Sequence, residues 1–355
     1  MSWKVAYYAH HFGTGHLRHA QRLAQLEGIE LQVASTGALR HDLVPAVRDY
    51  VALPPDAGPA QNPGKMRPGD HLHYAPVGQG IQRRFTALNH AWARFAPDVV
   101  MVDVSVEVAL FARLSGYPVA FRRMPGDRQD PAHRLAYAIS DGLFGYFPEA
   151  LEDPAHLAAY RGKSHYLPVP GTLHAAVAAA PGTPRPPGSR RRVVVQTSLA
   201  SAIPLRHLAA AAAGSRNWTW EVAGAVERDG TPLPENLTLL GVLADPARTM
   251  RGADVLVSSA GHNAVAAAAA CNRPVLLVPE ERPHGEQLHF ARALERAAGI
   301  PMLESWAAAA DWPALLQRTA GSAPGALAAC LFGTREGFTA GINALLATCI
   351  QGARS

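Results

Sequence analysis

Charge is scarce in this chain, and so are cysteines and aromatic rings. Charged residues are 17% of the 355 positions, aromatic ones 7%, and hydrophobic ones 48%. That balance excludes an intrinsically disordered chain, which needs little apolar material and much charge. Cys271, Cys330 and Cys349 are an odd number without metal-ligand spacing. They exclude a disulfide framework and point to a reducing cytoplasm. No apolar run reaches the ~20 residues of a membrane-spanning helix. The first residues, Lys4 to Tyr8, read as a strand rather than as the apolar core of a signal peptide. The expectation is a cytoplasmic chain, at most peripheral to the inner face of a membrane.

What charge there is leans one way, to a formal +5. A basic surplus suits phosphate-bearing ligands or an anionic membrane face. Neither a nucleic-acid motif nor a basic amphipathic helix accompanies it, so nucleic acid is not an expected partner. The length implies two domains.

A β-α rhythm runs through the first half. Lys4–Ala9 reads as a buried strand, followed by the turn His10-His11-Phe12-Gly13-Thr14-Gly15-His16 and a helix over 17–26 stopped at Gly28. Strands are expected at 30–34, 99–102 and 119–121, and helices at 79–95 and 106–114. The stretch from Pro54 to Pro76 is dense in Pro and Gly and reads as a long loop. Between Leu167 and Arg192 the chain turns Pro-rich and basic, which marks a domain boundary. Beyond it a second series begins, with strands at 193–196, 220–223, 237–240, 255–257 and 275–278. The domains are expected at 1–180 and 181–335, with a final helix in 336–355.

The most informative stretch is VLVSSAGHNAVAAAAACNRPVLLVPEERPHGEQ, from Val255 to Gln287. A short strand ends in Ser259-Ala260-Gly261, and an Ala-rich helix follows with His262 and Asn263 in its first turn. Glycine at such a junction lets backbone N–H groups approach an anion with no side chain in the way. After the next strand, a polar loop brings Glu286 and Gln287 to the same carboxyl edge. Open α/β sheets bind their ligands at that edge.

The order Ser-x-Gly, small helix, Arg-Pro, apolar strand, loop, Glu-Gln, helix resembles the donor half of GT-B nucleotide-sugar glycosyltransferases. It is most similar to the family 28 type, which includes the peptidoglycan N-acetylglucosamine transferases. The resemblance spans nearly the whole chain. It implies two doubly wound, Rossmann-like α/β domains facing across a cleft, with the last helix packing back on the first domain. It implies an inverting hexosyl transfer from a nucleotide-diphosphate sugar, UDP by default, to an acceptor that is a glycan, a lipid-linked molecule or a small molecule. It assigns the diphosphate to Gly261 with His262 and the sugar hydroxyls to Glu286 with Gln287, and it places Ser259 and Asn263 in the same donor site. The ribose-binding glutamate of the family, seven residues before the proline, is here Ala267. In place of the family's Gly-Gly-Ser turn stands Gln196-Thr197-Ser198, of which Ser198 alone matches. There is no Asp-x-Asp motif, so neither a metal nor a cofactor is expected.

Gly13, Gly15 and His16 match the family's amino-terminal Gly-x-Gly-His loop, facing acceptor and phosphate. His16 fits a general base, a phosphate partner, or a helix cap without chemistry. Asp103, ending a strand at the same edge, fits an orienting partner for His16, a base in its own right, or an N-cap. Arg122 and Arg123 follow another strand, where guanidinium forks suit phosphate or carboxylate; a solvated loop is the plainer alternative. His10, His11, His16 and His19 have no standard zinc spacing. Two further functions share this fold: hydrolysis of a nucleotide sugar, with water as acceptor, and non-catalytic binding, to which Ala267 lends support.

Overall fold

The computed structural model describes residues 2–11, 15–42, 44–56, 69–173, 188–197 and 203–352. Gly13, Thr14 and Ser198 lie outside them, as do most of the Pro/Gly-rich loop and the proposed boundary at 181–187.

The first sheet contains β1 (Trp3–Ala9), β2 (Ile29–Thr36), β3 (Asp49–Leu53), β4 (Val99–Asp103), β5 (Val119–Arg122), β6 (Gly142–Gly145) and β7 (Ser164–Tyr166). Its order is β3-β2-β1-β4-β5-β6-β7, and every pairing is parallel. Helices α1 (Gly15–Leu23), α2 (Gln79–Phe95), α3 (Val106–Leu114), α4 (Pro131–Ile139) and α5 (Pro154–Tyr160) connect the strands. β4 (VVMVD) is buried at all five positions. A parallel strand covered on both faces reads as an unbroken apolar run, and this one does.

The second sheet contains β8 (Arg191–Gln196), β9 (Trp218–Ala223), β10 (Leu237–Gly241), β11 (Val255–Ser258) and β12 (Val275–Leu277), in the order β10-β9-β8-β11-β12 and again parallel. Helices α6 (Leu205–Gly214), α7 (Pro246–Arg251), α8 (His262–Ala270), α9 (Glu286–Ala298), α10 (Trp312–Ala320) and α11 (Ala326–Leu331) surround it. This is the doubly wound pair of Rossmann-like sheets expected above.

The last helix, α12 (Arg335–Gly352), returns to the first sheet. Its Phe338, Ile342, Leu345, Leu346 and Cys349 share a core with Val5, Tyr7 and Val99. Apolar packing also runs the other way. Phe147 and Leu151, just past β6, are buried in the second domain's core beside Phe290 of α9. The two sheets are therefore joined by shared apolar contacts as well as by chain connections.

Several expectations are corrected by the structure. Helix α1 begins at Gly15 and stops at Leu23, earlier than read at both ends. Strands β3, β6 and β7 and helices α4 and α5 carried too short a pattern to be read. The basic run before Val193 reads as a solvated domain edge, and Arg190 and Arg191 are exposed as that reading expects, but Arg192 is not. Arg191 and Arg192 open β8, and buried Arg192 pairs with Glu221 at 3.0 Å.

Candidate active site

Each sheet reverses its strand order once in the middle, and ligand crevices form at the carboxyl ends of such points. In the first sheet the reversal lies between β1 and β4, whose ends deliver His10 and Asp103. In the second it lies between β8 and β11, which deliver Thr197 and the Ser259–Gly261 turn. The chain order alone thus brings the sequence-derived candidates to two facing edges.

On the first edge, Asp103 is fully buried and surrounded by donors. His16 Nδ1 lies 2.9 Å from Oδ2. Tyr7 donates its hydroxyl to the same oxygen at 2.8 Å, and Arg122 Nη1 donates to Oδ1 at 2.7 Å. Burial alone would push the Asp103 carboxyl up, but Arg122 and His16 outweigh it and hold the group well below the usual carboxylate range. Asp103 is therefore an anion. It is not the cap of α3, since Ser105 accepts from Val108 N there.

An ionised carboxylate can only accept, so Nδ1 of His16 carries a proton, and in the neutral ring Nε2 keeps the lone pair. The His16 side chain keeps 15% exposure, so it reaches the cleft while Asp103 does not. Carboxylate and imidazole form a dyad in which a buried anion orients a solvent-reachable imidazole.

Arg122 is buried between Asp103 and the ring of Tyr146, 5.1 Å from its guanidinium carbon. Arg123 pairs with Glu152 at 2.9 Å, both side chains being almost wholly buried. Neither arginine sits in a solvated loop.

On the second edge, Gly261 caps α8, and neither α8 nor α1 has an acidic residue in its first turn. A Cβ built on Gly15 would lie 2.5 Å from Asn263 Nδ2. The start of α1 therefore lies against the start of α8, and each helix start carries the positive end of a dipole. Helix starts so placed suit a negatively charged ligand. His262 faces the first domain, its Nε2 donating to Tyr146 O at 2.7 Å. Burial, with Arg122 and Arg22 nearby, pushes its pKa down to about 3. It is neutral, with Nδ1 buried and unpartnered.

Glu286 and Gln287 differ in what they can still offer a ligand. Buried Gln287 accepts from Ala260 N at 3.2 Å and from Glu280 N at 2.9 Å. Its carbonyl thus ties the two ligand-edge loops together, while Nε2 lies beside Gly261. Glu286 reaches across the cleft to Arg128 Nη2 at 3.2 Å. Asp127 N donates to His284 O at 2.8 Å in the same contact. Gly126 makes that approach feasible. It has φ +108, and a Cβ there would lie 2.7 Å from His284 O. Ala267 lies half-buried in α8, against the second domain's core.

A cavity of about 360 Å³ opens beside the dyad, lined by Tyr8, His10, Ile81, Phe85, Arg84 and Val108 among others. His10 meets His16 edge to face, with ring centroids 5.7 Å apart. The sequence did not single out this cavity, because its lining residues are dispersed along the chain.

The fold is that of the GT-B glycosyltransferases. No family model matches the sequence, and no curated protein matches it either. Solved structures do match over nearly the full length. The glycosyltransferase of kitacinnamycin has 15% identity over 99% of this chain and 97% of its own, with a TM-score of 0.64. Spinosyn rhamnosyltransferase SpnG, solved with thymidine diphosphate, has 17% identity over 99% and 98%, with a TM-score of 0.59. MurG of Acinetobacter baumannii has 14% identity over 99% and 95%, with a TM-score of 0.55. Among the described residues no helix is long and apolar enough to cross a membrane.

Proposed function

We propose that this protein is an inverting glycosyltransferase that moves a sugar from a pyrimidine nucleoside diphosphate sugar to a hydroxyl of an acceptor with an apolar body. The observation that carries this reading is the His16–Asp103 dyad, set at the start of α1 where it meets the acid-free start of α8. In the reaction, His16 Nε2 takes the proton of the acceptor hydroxyl as its oxygen attacks the anomeric carbon. The bond from that carbon to the diphosphate breaks, and the departing charge falls on the N–H groups of α1 and α8. Those donors, rather than a metal held on the diphosphate, stabilise the leaving group. Asp103 keeps the base in its tautomer and stabilises the imidazolium that forms. Glu286, once it exchanges Arg128 for a ligand, takes sugar hydroxyls.

The apolar walls of the cavity beside His10 support an acceptor of small-molecule size. SpnG, one of the proteins of like fold, was also solved with its spinosyn aglycone. Uridine and thymidine donors both fit the reading.

The test is a melting panel. UDP or dTDP should raise the melting temperature more than the monophosphates, since a ligand of the native state adds stability by mass action. Magnesium should leave that shift unchanged. If no nucleoside diphosphate shifts the melt at millimolar concentration, the donor site is misread. Nucleotide release that proceeds equally with and without acceptor would indicate hydrolysis instead.

A further inference from the structure

Four side chains that the reaction above does not use meet where the two domains touch. His73 comes from the segment before α2, Asp130 and His133 from the start of α4, and His284 from the loop before α9. One donor atom from each lies within 4.8 Å of all the others. The Asp130 carboxylate sits among three imidazoles, with Oδ1 2.9 Å from His73 Nε2. Its Oδ2 lies 2.5 Å from His133 Nδ1 and 3.9 Å from His284 Nδ1. Three imidazole nitrogens and one carboxylate oxygen are a donor set that tetrahedral zinc accepts.

The surroundings hold these donors in place. Glu107 accepts from the backbone N–H of both His73 and Tyr74, at 2.6 and 2.8 Å, and so anchors the His73 segment. His284 has φ 61, a left-handed conformation rare for a residue with a side chain, and Gly285 follows at φ 59. Strain of that kind persists only where neighbours impose it, and it gathers at ligand clamps. Here the close approach of Gly126 and Asp127 pins the carbonyl of His284 while its ring turns toward Asp130.

We propose that His73, Asp130, His133 and His284 bind a divalent transition metal, zinc being the fitting ion, and that this metal clips the two domains together. Three ligands belong to the first domain and one to the second, so the ion bridges the cleft. His133 now receives a hydrogen bond from Arg128 Nη1 at Nε2 (3.1 Å) and gives its Nδ1 proton to Asp130. With metal on Nδ1, the ring takes its proton on Nε2 instead, and Arg128 turns wholly to Glu286, which its Nη2 already meets. Metal binding itself does not require the sugar-transfer reading, although His73 also lines the cavity beside the dyad.

The test uses the full-length protein, stripped with chelator and titrated with zinc chloride by calorimetry and by melting. A saturable equivalent of zinc with micromolar or tighter affinity is expected, together with a raised melting temperature. His73→Ala and His284→Ala should each weaken zinc binding by ~100-fold or more, since even the partners of metal ligands contribute ~10–100-fold. Both side chains are partly exposed, 27% and 30%, so without zinc the variants should melt as the wild type does. His289→Ala, at an exposed position outside the cluster, should bind as the wild type does. Cobalt added to the wild type provides a reading that needs no variant: intense visible bands of a tetrahedral site are expected. No saturable zinc binding, binding that either ligand variant leaves unchanged, or only the pale spectrum of octahedral cobalt would overturn the proposal.

Discussion

Replacing His16 and Asp103 separately distinguishes a base and its orienting anion from two structural groups. His16→Ala removes a side chain that keeps 15% exposure and whose one close anionic partner is Asp103. Little apolar packing is lost, so the melting temperature should change little. Turnover should fall by ~10²–10⁴, the usual contribution of a general base. Asp103→Asn keeps the shape and removes the charge. Arg122, 5% exposed on its side chain, then has lost its anion inside the protein. Leaving one partner of a buried pair uncompensated costs about 3–5 kcal/mol, so this variant should melt several degrees lower and also lose turnover.

The pH dependence of that stability gap follows from the sign of the shift. The Asp103 carboxyl is depressed in the folded protein. Its contribution is therefore fully present above the unfolded carboxylate value of ~3.9 and is lost as pH falls through the lower folded value. The gap between wild type and Asp103→Asn should hold from neutral pH down to about 4 and close only below it. The assay is paired: calorimetric melts across pH, and release of nucleoside diphosphate under saturating substrates. If His16→Ala retains turnover within a few-fold while its melt drops, His16 is a structural group and the dyad is not the base. Should the Asp103→Asn gap instead narrow as pH falls from 7 to 5, Asp103 is not the depressed anion described here.

Two other substitutions examine the donor side. Ala267→Glu should tighten nucleoside diphosphate binding by ~10–100-fold if the ribose lies beside α8, because a charge-assisted hydrogen bond contributes about 1.5–3 kcal/mol; unchanged affinity in a folded variant puts the ribose elsewhere. Glu286→Gln should raise the KM of the donor sugar by ~10-fold or more, the value of a hydrogen bond to a charged group, while the Kd of the free nucleoside diphosphate stays the same. Equal weakening of both would move Glu286 from the sugar to the phosphates.

The sequence by itself determined the parallel two-sheet plan and the edges at which ligand chemistry gathers. Apolar runs such as β4 leave few alternatives, because a buried parallel strand needs side chains acceptable on both faces. Helices α2 and α3 were legible to the residue. Their apolar spacing is regular, and Gly116 stops α3 while Pro97 follows the end of α2. Gly261 and Asp103 were legible as candidates for a similar reason, since Asp103 closes a clear strand and Gly261 opens the helix that follows one.

Only the tertiary structure decided what each candidate touches. It set Asp103 behind His16, sent Arg123 to Glu152 and engaged the Gln287 carbonyl with two backbone N–H groups. It also joined Arg128 to Glu286, 158 positions apart, and gathered three histidines around Asp130 from both domains. No periodicity encodes such meetings. Local sequence sets which edge a side chain reaches. Its partner across the cleft is set by how the two sheets dock, through Phe147, Leu151 and the returning helix α12.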